Sequence, residues 1–153
     1  MALEGPRLRF PLSGCSKKQT AVSHSTPEAE IIACAFGLRT EGIPAMQLWD
    51  VLLGWPVDLQ CLEDNQAMMR VVETGRNPTL RYIGRTHGVS IAWLHEQFKD
   101  KHQLMTYCES SKQAGDIYTK PFIDAAKWES VCDLIGVCHP SRLHALIRHF
   151  VAS

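Results

Sequence analysis

The sequence carries no excess charge of either sign: sixteen Lys and Arg balance sixteen Asp and Glu. That excludes the broad basic field of a typical nucleic-acid or anionic-membrane binder. A polyanionic partner would have to be met by locally clustered cations or by a metal ion. Long hydrophobic runs are absent too. The longest apolar stretch, from Ile43 to Val57, is interrupted by Gln47 and Asp50, so it does not make a membrane span. The opening MALEGPRLRFPL lacks the apolar run of a signal peptide. No C-x-x-C pair occurs among the six cysteines, at positions 15, 34, 61, 108, 132 and 138. The expectation is reduced thiols in an intracellular protein, cytoplasmic or nuclear. Cys132, Cys138 and His139 fit no common zinc spacing. Repeats and low-complexity tracts are missing as well.

What is present is an ordinary globular composition. Of 153 residues, 45% are hydrophobic and 21% charged. A chain of this length is one domain and buries roughly 70% of its extended surface. Residues 1–9, with Gly5, Pro6, Arg7 and Arg9, read as a disordered lead-in. Phe10 to Cys15 and Thr20 to His24 read as short strands. Ser25-Thr26-Pro27-Glu28 has capping-box spacing with Pro in the first turn, so a helix starts there. Ile31, Ala35 and Leu38 form its apolar stripe, and Cys34 also falls on an apolar face. Gly42-Ile43-Pro44 breaks or kinks it before a second helical piece with Leu48, Leu52 and Trp55.

Val57, Leu59 and Cys61 alternate with polar neighbours, which predicts a strand ending at Glu63-Asp64. Asp64 is placed to cap a helix carrying Met68, Met69, Val71 and Val72. A Gly75–Gly84 loop follows, then a helix opened by Thr86, with Val89, Trp93 and Leu94 inward. Leu104 to Cys108 reads as a strand. Ser110 to Gln113 repeats the capping-box spacing, and a helix runs from Ala125 to Ile135. In the tail, 137–153, Leu143, Leu146, Ile147, Phe150 and Val151 make one helical stripe. It either packs on its own domain or binds a partner.

Three acids recur at equivalent places: Glu30 in the first turns of a helix, Asp64 where a strand gives way to a helix, and Asp116 near a late helix start. Strand ends and helix starts are where an α/β domain gathers side chains into one site. Carboxylates converging there need cations between them, and oxygen-only ligands select Mg²⁺ or Mn²⁺. Two such ions about 4 Å apart activate a water and stabilise the leaving oxygen of a phosphodiester. Simple capping is the competing explanation for Asp64 or Asp116 taken singly.

The run SGCSKKQTAVSHSTPEAEIIA, then LEDNQAM, then GRTHGVSIAWLHEQF, then SSKQAGDIYTKPF resembles the ribonuclease H domain of copia-type retrotransposon Pol polyproteins. Order and gaps agree from about residue 10 to residue 136. The resemblance implies an α/β ribonuclease H-like fold, with a central mixed β-sheet flanked by helices, over 10–136. It implies Mg²⁺-dependent hydrolysis of the RNA strand of an RNA–DNA hybrid, alongside the polyprotein's reverse transcriptase. Glu30, Asp64 and Asp116 match the family's catalytic, metal-holding carboxylates, which leaves Glu28 as a capping residue. The family's first β-hairpin, with its first catalytic Asp, has no counterpart here. No Asp precedes Asp50, and Glu4 lies in the lead-in. Thr86-His87-Gly88 stands where the family has Thr-Lys-His, so His87 is expected to be a plain surface histidine.

Lys17, Lys18, Gln19, Asn65, Gln66, Arg85 and Lys120 lie beside these motifs and are candidate nucleic-acid contacts. The cations would hold phosphates. Asn65 and Gln66 would read 2′-hydroxyls, or else are helix-start polar residues. Trp49, Trp55, Trp93 and Trp128 are expected in the core rather than as stacking platforms. The rival functional expectations are an inactive relic that at most binds nucleic acid, and a protein-interaction module using the C-terminal stripe.

Overall fold

The computed structural model describes residues 1–5 and 8–141. The tail stripe from Leu143 to Val151 lies outside the described residues. The chain divides into two compact units, Met1–Ser16 with Ser111–Ser153, and Lys17–Ser110. The fold is mixed α/β. In place of one central mixed sheet, the described residues form two two-stranded sheets, one antiparallel and one parallel.

In the first unit, β1 (Ala2–Gly5) and β2 (Leu8–Pro11) pair as an antiparallel hairpin, with Leu3 opposite Phe10 and Glu4 opposite Arg9. This corrects the disordered lead-in and the strand expected at 10–15. The cross-strand carboxylate and guanidinium of Glu4 and Arg9 meet at 2.9 Å, and the Met1 ammonium donates to the Ser13 carbonyl at 2.6 Å. An opposite-charge pair directly across a ladder favours that register. The unit continues with a 3-10 turn at Ala114–Tyr118 and a helix, Ala125–Leu134, capped by Asp124 accepting from the Ala126 amide. Only Val131 of that helix is buried. Trp128 is exposed and leans on Phe122, contrary to its expected place in a core.

The second unit carries the larger core. Helix α1 (Thr26–Gly37) begins where expected, with the Ser25 hydroxyl accepting from the Glu28 amide and Pro27 in the first turn. It does not break at Gly42-Ile43-Pro44. A π turn, Leu38–Gly42, leads without interruption into α2 (Ile43–Leu53). Pro44 lacks an N–H and crowds the carbonyl one turn back. The wider π turn ahead of it, closed by the Ile43 amide on the Leu38 carbonyl, accommodates the ring without ending the helix. No residue of α2 is buried, and Leu48, Val51, Leu52 and the following Trp55 are exposed. No strand forms over 20–24.

β3 (Leu59–Glu63) and β4 (Gln103–Tyr107) run parallel, Leu59 beside Gln103 and Glu63 beside Tyr107. Parallel neighbours need a long crossover, and here it holds α3 (Gln66–Thr74), α4 (Ile83–His87) and α5 (Ile91–Gln97). Asn65, not Asp64, caps α3, and Ser90, not Thr86, caps α5. Ile31, Ala35 and Leu38 pack with Met68 and Val72 of α3, Leu80, Ile83, Val89, Ile91 and Leu94. Leu59, Cys61 and Met105 close this core from the sheet. On the sheet's other face Gln60, Leu62, Leu104 and Thr106 are exposed, and the Gln60 amide donates to the Thr106 hydroxyl. Among the described residues, no helix is long and apolar enough to cross a membrane.

Candidate carboxylate site

The carboxyl end of β3 reads Glu63-Asp64-Asn65, and each residue does something different there. Asn65 has left the strand (φ −88°, ψ 91°), and its side-chain oxygen accepts from the Met68 amide at 3.0 Å. That occupies the capping role expected of Asp64 and leaves the Asp64 carboxylate for other partners. It accepts from the Ser110 hydroxyl at 2.6 Å, just beyond β4, so the ends of the parallel strands are joined through it. Glu63 points inward and is only 6% exposed, with one oxygen accepting from the Asn65 amide at 2.9 Å. Burial pushes its carboxyl pKa up. The Asn65 and Asp64 amides pull it down, and the charges of Glu30 and Asp64 push it up further. Glu63 therefore senses the charges of both Glu30 and Asp64, the kind of electrostatic crowding that a divalent cation relieves.

Oxygen donors of this kind suit a hard cation, and Glu30 with Asp64 would hold it. Among the described residues, no group of three or more His, Cys, Asp or Glu side chains is gathered closely enough to hold a metal ion. Asp116 belongs to the first unit, in the 3-10 turn. Its carboxylate pairs with Lys120 at 2.7 Å, one turn on, and its carbonyl accepts from the Thr119 and Lys120 amides.

The candidate nucleic-acid contacts divide by what already engages them. Gln19 is half-buried. Its amide donates to the Ala29 carbonyl at 3.0 Å and its oxygen accepts from Ser23, so it braces the start of α1. Asn65 is a cap and Lys120 an ion-pair partner. The Lys17 ammonium lies over the Phe36 ring, 4.9 Å from its centre. Lys18, Gln66 and Arg85 are exposed. A shallow cleft that the sequence did not suggest is lined by Arg76, Asn77 and Arg81 over Leu80 and Ile83.

A buried cluster two residues before Glu30 was missed. Glu28 is not a bystander cap: it has no solvent exposure. One oxygen accepts from the His24 amide at 2.8 Å and from the Tyr82 hydroxyl at 2.9 Å. The other faces His87 Nε2 at 3.3 Å. His87 is correspondingly no surface residue, its side chain being 2% exposed. Burial raises the Glu28 carboxyl pKa. The His24 amide, the Tyr82 hydroxyl and the imidazoles of His24 and His87 outweigh that and hold it below the usual range. The phenol of Tyr82 moves up, through burial and then through its bond to Glu28. The signal was present in the sequence: position 28 lies on the same helical stripe as Ile31 and Ala35. Trp93 is half-buried against the core under the Arg39 guanidinium, Trp49 is half-buried, and Trp55 is exposed.

No protein-family model, curated protein or solved structure matches this chain.

Proposed function

We propose that the chain is a ribonuclease H-like domain of copia-retrotransposon type. Its encoded chemistry is Mg²⁺-dependent hydrolysis of the RNA strand of an RNA–DNA hybrid, in the company of a reverse transcriptase. The observation that carries this reading is the release of Asp64 from capping. Asn65 takes that role, and Asp64 stands at the carboxyl end of a parallel strand, beside Glu63, which feels the charges of both Asp64 and Glu30. Ligands of α/β domains gather at such strand ends. Glu30 and Asp64 would bind and orient a cation; Asp116, which the resemblance assigns as the third carboxylate, belongs to the other unit. Mg²⁺ or Mn²⁺, when bound, would activate the attacking water and stabilise the departing oxygen. Lys18, Gln66 and Arg85 are exposed to meet backbone and 2′-hydroxyls.

This polypeptide carries three of the carboxylates the resemblance calls for, and its first Asp is Asp50. A misplaced reacting group costs ~10²-fold, and a lost ligand shared by two ions costs more. A second reading, an inactive relic that binds nucleic acid weakly, is favoured by the Lys120 ion pair already neutralising Asp116.

The test is a labelled hybrid incubated with purified chain in Mg²⁺ and in Mn²⁺. Little or no cleavage is expected from this polypeptide, and cleavage sensitive to Asp64→Asn once an Asp-bearing hairpin is joined to its N-terminus. No cleavage and no hybrid binding by the extended chain would sink the enzymatic reading.

A further inference from the structure

Cys34 lies on the buried face of α1, and Cys61 is the central residue of β3. Their sulfurs are 3.9 Å apart although 27 positions separate them in sequence. The contact is therefore made by the fold: the helix and strand that carry the two thiols pack against the same core of Ile31, Ala35, Met68 and Leu94. Cys34 is 9% exposed and Cys61 half-buried. A disulfide has sulfurs about 2.05 Å apart, so bonding requires the pair to close by roughly 1.9 Å. The sulfurs are already in van der Waals contact, so the closure left to make is short.

We infer that Cys34 and Cys61 form a redox-reactive dithiol that a peroxide oxidises to an intramolecular disulfide. The two sulfurs are not equivalent. Either thiol can donate across the contact; with Cys34 donating, the hydrogen bond favours the thiolate of Cys61 and lowers its pKa, against burial and the nearby Glu63. The same hydrogen bond, burial and the charges of Cys61, Glu63 and Glu30 raise that of Cys34. Cys61, the more accessible of the two, is the attacking sulfur, and the buried Cys34 is the resolving one.

In the first step the Cys61 thiolate attacks one peroxide oxygen. The O–O bond breaks, leaving a sulfenic acid on Cys61 and a hydroxide that takes the Cys34 proton. In the second, the Cys34 thiolate attacks the Cys61 sulfur. The S–O bond breaks, and the departing hydroxide takes up the proton that Cys61 had released. Two thiols lose two electrons, the peroxide gains them, and two waters form. Peroxide is small enough for a half-buried thiol.

The bond would tie α1 to β3. Glu30 precedes Cys34 by one helical turn, and Glu63 follows Cys61 on the same face of the strand. The tether would fix the spacing of the elements that bear the carboxylate site, but its formation does not depend on what that site does.

The experiment uses the full chain, treated with hydrogen peroxide under native conditions. Remaining thiols are alkylated, and the chain is digested with trypsin without reduction. Cleavage after Lys18, Arg39 and Arg70 puts Cys34 alone in peptide 19–39 and Cys61 alone in peptide 40–70. The expected product is those two peptides joined with loss of two hydrogens, sensitive to dithiothreitol. It should form at peroxide levels comparable to those that oxidise exposed Cys15. Recovery of both Cys34 and Cys61 in alkylated form, while Cys15 is oxidised, would overturn the inference. So would conversion of Cys61 to sulfinic acid without the crosslink. In Cys34→Ser no resolving thiol remains, and a dimedone adduct on Cys61 is expected. Its absence would overturn the assignment of Cys61 as the attacking sulfur.

Discussion

Removing the Glu28 carboxylate tests whether the buried cluster holds the start of α1 against α4. In Glu28→Ala the His24 amide and the Tyr82 hydroxyl lose their acceptor, and His87 loses the anion 3.3 Å from its ring. Breaking a buried charged cluster from one side typically costs about 3–5 kcal/mol, because the partners stay desolvated. The cluster lies at the edge of the core, where water re-enters part of the vacated space, so about 2–4 kcal/mol is expected. Glu28→Gln separates charge from shape. Its amide oxygen can accept from both His24 and Tyr82 while its NH₂ faces His87 Nε2, so only the charge assistance is lost, about 1 kcal/mol. Urea unfolding of the three proteins at pH 7 measures both differences. The pH dependence has a definite sign. Because the folded-state pKa of Glu28 is depressed, its contribution is complete above the ordinary value of 4.5 and is lost as pH falls through the lower folded value. The advantage of wild type over Glu28→Gln should therefore shrink as pH falls below about 4.5. An Ala variant within about 0.5 kcal/mol of wild type, or Ala and Gln variants of equal stability, would refute the reasoning.

Glu63 has the opposite sign. Its folded pKa is raised, so its ionisation weakens the fold as pH rises. Glu63→Gln should raise Tm at pH 7, with the gain disappearing in acid, as followed by circular dichroism. Asn65→Ala should lose about 1 kcal/mol with the α3 cap, and Asp64→Ala distinctly less. The reverse order in denaturant melts would return Asp64 to capping. Leu94→Ala should cost about 2–5 kcal/mol, since Leu94 is fully buried and its loss leaves a cavity among large neighbours. Isothermal titration of Mg²⁺ should give weaker binding for Asp64→Asn and Glu30→Gln than for wild type; unchanged titrations in both would count against the cation site.

The elements that could be read from sequence are those whose signals are local. Ser25 and Pro27 start α1, alternation marks β3 to within two residues, the strand expected at Leu104–Cys108 lies within one residue of β4, and the 125–134 helix sits where its pattern predicts. What could not be read depends on partners distant along the chain. The hairpin at 2–11 is held by Glu4 meeting Arg9 and by the chain end reaching Ser13, and neither contact leaves a periodic trace. The continuation of the helix through Pro44 required a π turn, which no propensity argument anticipates. Capping was misassigned by one residue at α3 and by four at α5. Asp64-Asn65 and Thr86 to Ser90 each offer several side chains able to cap, and only backbone geometry selects among them.

That one-residue exchange at α3 links the fold to the proposed chemistry. A capping carboxylate is held at a helix N-terminus by amide hydrogen bonds and gives up its lone pairs to them. With Asn65 as cap, the neutral amide oxygen satisfies the Met68 amide, and the Asp64 carboxylate is directed to the Ser110 hydroxyl, a bond a cation could displace at modest cost. Glu63 is locked in place by the Asn65 amide, so three consecutive residues serve core, strand-end tether and cap in turn. The sequence Glu-Asp-Asn is thus read by the chain as three separate instructions. If Asn65 were replaced by Asp, the new carboxylate would cap at least as well, but a fourth negative charge would join Glu30, Glu63 and Asp64. The expected result is a protein that keeps the α3 cap yet raises the Glu63 pKa further. It should bind Mg²⁺ more tightly than wild type if a cation belongs at this strand end. Unchanged binding in Asn65→Asp would show that the crowding among these carboxylates is a consequence of packing and has no part in holding an ion.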